Sequence, residues 1–201
     1  MKGVIILGAG GHTRSILSLL DNCGYQSKFI IDINSSKDTI EKISDIKVVS
    51  KKNNNKEIPK VLSIGDNLIR ESFFLHEKNV LTQNLIHNSA NRAASLLIGC
   101  SNQIFANVFL NEGVCIQDNN IINTSAIIEH EVIMGSHNHI SIGCVIAGRV
   151  QIGSRCFIGA NSTIIDKISI CNDVIIGAGS VVIKDVKEAG TYAGNPIRRI
   201  K

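Results

Sequence analysis

Four groups of residues in this 201-residue chain have the types and spacing for chemistry. The first is Glu129-His130-Glu131. A carboxylate beside an imidazole stabilises the cation formed when the ring takes up a proton, which suits activation of an amine or a hydroxyl. A histidine among surface charges is equally consistent with no chemistry, and the triplet alone leaves that reading open. The second is Ser136-His137-Asn138-His139, which with His130 places three imidazoles within ten residues, so metal binding has to be weighed. The third is Gly8-Ala9-Gly10-Gly11-His12, directly after an apolar run, where glycines let backbone amides reach a phosphate at a helix N-terminus. It is not GxGxxG: Thr13 stands where the third glycine would be, which disfavours a redox dinucleotide, and a tight strand-to-helix turn without ligand is the alternative. The fourth is the C-terminal Gly190-Thr191-Tyr192-Ala193-Gly194-Asn195-Pro196-Ile197-Arg198-Arg199-Ile200, a Gly-Asn-Pro turn followed by arginines that suits a cap and a phosphate contact.

The elements that must position these groups differ between the two halves of the chain. From Ile98 to Val182 every sixth residue is aliphatic, and the fourth residue after each is mostly Val, Ala, Cys or Ser. A strand alternates with period two and an amphipathic helix recurs at about 3.6, so neither accounts for a strict six. A short strand plus a corner does, because three such units close a triangular coil of 18 residues and the columns stack into an apolar interior. The spacing predicts a parallel β-helix over 98–187 but not its hand.

Residues 1–80 read as a small Rossmann-like α/β domain. Val4 to Leu7 is a buried strand, Thr13 to Leu20 carries helical spacing, and Phe29 to Ile31 is a second strand ending at Asp32. Lys60 to Ile64 is a third strand ending at Gly65, and a helix follows from Asn67 to about Glu77. Alternating strands and helices imply a parallel sheet with its ligand at the strand carboxyl ends. Residues 81–97 are expected to connect the two domains, and 188–201 to cap the second.

The composition narrows the function classes. The charge is +4, with the basic excess in 1–97, too weak and dispersed for nucleic acid but suited to an anionic small molecule. Lys51, Lys52 and Lys56, around Asn53 to Asn55, read as a solvated loop. The six cysteines have no CxxC pairing and no zinc-finger histidines, and read as small apolar fillers in a reducing compartment. No apolar run reaches the roughly 20 residues of a membrane span and no signal peptide is evident, so a soluble cytoplasmic protein without membrane insertion is expected.

Taken in order, GAGGH, LSIGDN at 62–67, NLIH at 84–87, INTSAIIEHE at 122–131, the repeats and YAGNPIRRI resemble one family over nearly the whole chain. It is the bacterial sugar acetyltransferases that include the sialic-acid O-acetyltransferases and the UDP-4-amino-sugar N-acetyltransferases of bacillosamine-type pathways. The resemblance implies a left-handed β-helix, a homotrimer, and direct transfer from acetyl-CoA to the amine of a UDP-linked 4-amino-4,6-dideoxy sugar without an acyl-enzyme. It implies that His130 is the general base with Glu131 as its partner, Glu129 being the less favoured one. It implies that His139 contacts acetyl-CoA, and that backbone near Gly148, Ala160 and Ala178 lines the pantetheine channel. Gly10, Gly11, His12, Asp32 and Gly65 match positions that hold the nucleotide, and Asn123 one beside the acceptor. Some members carry a second acidic residue after the strand-two Asp, where this chain has Ile33. The alternatives are a sialic-acid-type O-acetyltransferase, a non-catalytic sugar-nucleotide sensor, and a zinc hydratase of the γ-carbonic-anhydrase type. The last uses a ligand pair five residues apart rather than HxH, so no metal is expected.

Overall fold

A computed structural model describes residues 1–35 and 41–201, apart from the side chain of Asn53. The chain divides into two units, Met1–Leu85 and Ile86–Lys201.

The first unit is a five-stranded sheet with two helices. Its elements are β1 (Lys2–Leu7), α1 (Gly11–Asn22), β2 (Tyr25–Asp32), β3 (Lys42–Ile43), β4 (Ile46–Ser50), β5 (Lys60–Leu62) and α2 (Asn67–His76). The sheet order is β3-β4-β2-β1-β5, parallel throughout except for the β3/β4 pair. The hairpin of β3 and β4 is absent from the sequence reading, which has no strand between Asp32 and Lys60; β4 pairs in register with the end of β2 and buries Val48 and Val49. From β1 the chain first adds strands on one side and then returns to add β5 on the other. The loops after β1 and β5 therefore part over a crevice at the carboxyl edge, the position where open α/β sheets take their ligands. Helix α1 starts two residues before Thr13, because Gly10 adopts the extended cap conformation. Thr13 is fully buried. Its hydroxyl donates to the Gly8 carbonyl at 2.9 Å and accepts from Ser63 Oγ at 3.1 Å, tying the β1 loop to the end of β5. That tether explains a threonine where a dinucleotide fold has glycine.

The second unit is a left-handed parallel β-helix with three faces. On the first face strands such as Ile121–Ile122, His139–Ile140 and Phe157–Ile158 stack 18 residues apart. The second face stacks Phe109–Leu110, Ile127–Ile128, Val145–Ile146, Thr163–Ile164 and Val181–Val182. The third stacks Leu97–Ile98, Cys115–Ile116, Ile133–Met134, Gln151–Ile152 and Ser169–Ile170. The second residue of each pair points inward, and those from Ile104 to Val182 form one buried column set with the small residues four positions on. Stacking begins earlier than Ile98, with strands Leu85–Ile86 and Asn91–Arg92, so part of the expected connector is already coil. Arg92 occupies an in-phase position with a charged, exposed side chain, which hides the first coil from an aliphatic count. At the other end Gly190–Gly194 adds in parallel to the first face and Ile197–Arg199 folds back on it antiparallel, closing the stack.

Two features of the coils have no counterpart in the sequence reading. Every sixth residue from Ser101 to Gly179 has a φ between 55° and 70°, so each corner turns through the left-handed region. Asn, Ser, Asp and Gly recur there because they enter that region at least cost. Along one interior column Asn102, Asn120 and Asn138 are fully buried and linked: Asn120 Oδ1 accepts the Asn138 backbone N–H at 2.7 Å, and Asn138 Oδ1 that of Cys156 at 2.7 Å.

Candidate active site

The edge between the second and third faces carries the catalytic candidates. His130 follows the strand Ile127–Ile128, and its Nδ1 lies 3.2 Å from Glu131 Oε2. Both side chains are open to solvent, the imidazole at 44% and the carboxylate at 63%. Glu131 is one of the left-handed corner residues, so its backbone follows the rule of the solenoid and is not a local distortion. Glu129 does something else. Its Oε2 accepts from Asn111 Nδ2 at 2.6 Å and from the backbone N–H of His130 at 3.3 Å, which fixes the main chain under the histidine and leaves the ring to Glu131. Asn111 lies 18 residues before Glu129, one coil away; sequence reasoning missed it, and the coil period is the signal that would have found it. On the same edge Glu112 hydrogen-bonds Ser95 Oγ. In the tautomer whose Nδ1–H donates a hydrogen bond to Glu131, the Nε2 lone pair is left to accept a proton from an incoming nucleophile.

The other expected residues fall elsewhere. Asn123, Ala160 and Ala178 lie on the edge between the first and second faces, on three coils. His139 is on the first face and only 8% exposed, its ring edge-on to Phe157 at 5.1 Å and its Nε2 3.5 Å from Asn123 Nδ2. His139 and Asn123 thus form a pair, and Gly148 stands apart from Ala160 and Ala178, in the column of His130. His137 is on the third edge, its Nδ1 2.8 Å from Asn119 Nδ2. The three imidazoles that raised the metal question therefore occupy three different parts of the coil, and among the described residues of one chain no three metal-capable side chains cluster.

In the first unit the residues expected to contact a nucleotide follow or end β1, β2 and β5 at the carboxyl edge of the sheet. Gly10 and Gly11 are exposed at the start of α1, and Gly65 follows β5; beyond chain neighbours and the helix backbone, none has an atom within 4 Å of where a side chain would begin. His12 is half-buried in the first turn of α1. Asp32 ends β2, its Oδ1 accepting the Asn34 backbone N–H at 2.9 Å. Ile33 packs against the apolar cluster of the sheet, and its side chain has no oxygen to offer a ligand. Behind the Gly65 loop the fully buried Arg70 donates to the carbonyls of Ile64 at 3.1 Å and Gly65 at 3.3 Å and to Asn67 Oδ1 at 2.9 Å. Burial pushes its guanidinium down to about 9, opposed by Asp66, so it is a cation at neutral pH.

A left-handed hexapeptide solenoid that carries a histidine–carboxylate pair on one edge and matches the transferase hexapeptide models is a hexapeptide-repeat acyltransferase. Residues 131–166 match the bacterial transferase hexapeptide family and 149–184 the hexapeptide repeat of succinyl-transferase. Ahead of the repeats, residues 3–76 match the PglD N-terminal domain. The crystal structure of PerB from Caulobacter crescentus in complex with CoA and GDP-perosamine is 27% identical, with a TM-score of 0.87 over 100% of this chain and 98% of that one. The acetyltransferase domain of PglB from Neisseria gonorrhoeae is 24% identical, with a TM-score of 0.88 over 100% of both chains. WeeI from Acinetobacter baumannii is 18% identical, with a TM-score of 0.56 over 99% of this chain and 100% of that one. No curated protein matches the sequence significantly. Among the described residues no helix is long and apolar enough to cross a membrane.

Proposed function

We propose that the protein is an acetyl-CoA-dependent N-acetyltransferase acting on the amino group of a nucleotide-linked 4-amino-4,6-dideoxy sugar. The observation that carries the mechanism is the His130–Glu131 pair on an open edge. His130 Nε2 takes a proton from the acceptor amine as its nitrogen attacks the thioester carbonyl. The tetrahedral adduct collapses to the amide and expels the CoA thiolate, which recovers the proton from His130. Glu131 stabilises the imidazolium between these steps. The first unit holds the nucleotide through the glycine loops after β1 and β5, with His12 and Asp32 beside them, and no metal takes part. His130→Ala should lower kcat by roughly 100-fold or more with folding unchanged; near wild-type turnover of a 4-amino sugar nucleotide would overturn the assignment.

The nucleotide is UDP by the family resemblance, and the GDP-perosamine held by PerB makes guanine the competing base. Saturable thermal stabilisation by UDP but not GDP supports the first, and the reverse the second.

A homotrimer completes the reading. The edge of His130 and the edge of Asn123, Ala160 and Ala178 bound the same second face, whose outward column is Phe109, Ile127, Val145, Thr163 and Val181. Three copies turning that largely apolar column inward would set the His130 edge of each against the other edge of the next, with acetyl-CoA in the cleft between. Light scattering on wild type and on Ile127→Asp tests it: a trimer lost together with activity is expected, and an active monomer would refute it.

A further inference from the structure

Position 148 lies one coil beyond His130, and the imidazole rests on it. A side-chain carbon at Gly148 would stand 2.5 Å from both Cε1 and Nε2 and 3.1 Å from Cδ2 of His130. No backbone atom is among those nearest neighbours, whereas an added carbon at Gly99, Gly135, Gly153 or Gly159 would strike the backbone of the next coil within 3 Å. Nor does the backbone demand glycine at 148, since its φ is not in the left-handed region that the corners use. The fold therefore tolerates alanine there and the ring does not. His130 cannot yield by moving its main chain: its N–H is held by Glu129 Oε2 at 3.3 Å and its carbonyl accepts the Arg149 N–H at 2.8 Å. Only the side chain is free to give way, and turning it takes Nδ1 from the Glu131 carboxylate and Nε2 from its place above the coil.

We infer that Gly148 is a positioning residue for His130, the floor that sets where the ring's proton-accepting nitrogen sits. This rests on His130 being the base, and it differs from a role in lining a cofactor channel, where alanine would be accommodated as it is at 160 and 178.

The test is a cycle of Gly148→Ala, His130→Ala and the double variant, read by steady-state kinetics with a 4-amino sugar nucleotide and acetyl-CoA. A ring displaced by an ångström or so costs about 100-fold in a step that depends on its placement. Gly148→Ala is therefore expected to lower kcat 10- to 100-fold with KM for acetyl-CoA within about twofold of wild type, and to unfold at the wild-type temperature. Added to His130→Ala it should cost nothing further, because the ring through which it acts is gone. A Gly148→Ala enzyme with wild-type kcat, while His130→Ala is impaired, refutes the inference and leaves the base intact. A cost that persists in the His130→Ala background, or a raised KM for acetyl-CoA, assigns Gly148 to the cofactor instead. Full turnover by His130→Ala removes the base and the inference together.

Discussion

Replacing Asn120 by alanine isolates what the interior asparagine column contributes to stability. The side chain is fully buried. Its Oδ1 is the acceptor for the Asn138 backbone N–H at 2.7 Å, and its Nδ2 donates to Asn102 Oδ1 at 3.1 Å, the Gln117 carbonyl at 3.1 Å and the Asp118 carbonyl at 3.2 Å. Truncation strips the Asn138 N–H of its acceptor in a place water does not reach, at about 1–3 kcal/mol. The Asp118 carbonyl keeps the His137 N–H, and Asn102 Oδ1 keeps the Asn120 N–H, so those losses are small. The Gln117 carbonyl loses a donor, adding about 1 kcal/mol. The sum is about 3 kcal/mol, equivalent to roughly 6–12 °C of Tm in a chain of this size. Calorimetry or circular dichroism during heating measures it. A fall of less than about 3 °C, under 1 kcal/mol on the same scale, would refute the reasoning, since the orphaned N–H would then have found another partner.

Two further outcomes are expected. Glu131→Gln keeps the size of the side chain and removes its charge; the pair is exposed, and exposed pairs give only about 0.2–1 kcal/mol, so kcat should fall by no more than about fivefold. A loss matching that of His130→Ala would mean that the pair works in a far drier place than the single chain provides. Among the cysteines, burial pushes the Cys144 thiol up and that of Cys156 to about 11, so both should resist iodoacetamide at pH 8 until the protein is denatured. Intact mass after brief labelling checks this, and alkylation of either cysteine in the folded protein would contradict it.

The solenoid was legible because its period leaves no competing explanation: a column of aliphatic residues six apart belongs to neither an ordinary strand nor a helix. Its hand was not legible, and came from resemblance. The first coil was lost at Arg92, where a charge stands in an aliphatic position. The hairpin of β3 and β4 was lost because two- and five-residue strands carry too little pattern to separate from loop. Within the site, the triplet around His130 stands out as a cluster of charge, yet Glu129 and Glu131 are equivalent in sequence. What separates them is that Asn111 holds one, and contacts one coil apart become visible only once the chain is wound. The resemblance places Gly148 on the cofactor path; that it lies beneath a ring depends on the same winding.

That winding makes the coil a ruler. Successive strands of a sheet lie about 4.8 Å apart, so residues 18 positions apart are one graduation apart, and 36 apart two. Glu112, His130, Gly148 and Asp166 mark four successive graduations along one edge. Inserting or deleting whole coils would move a residue along the edge by fixed steps without turning it off the edge, while one hexapeptide more or less within the stack would carry everything beyond it onto another face. The spacing between residues on that edge is thus set in whole steps, and finer placement of a side chain falls to the residue one coil beneath it.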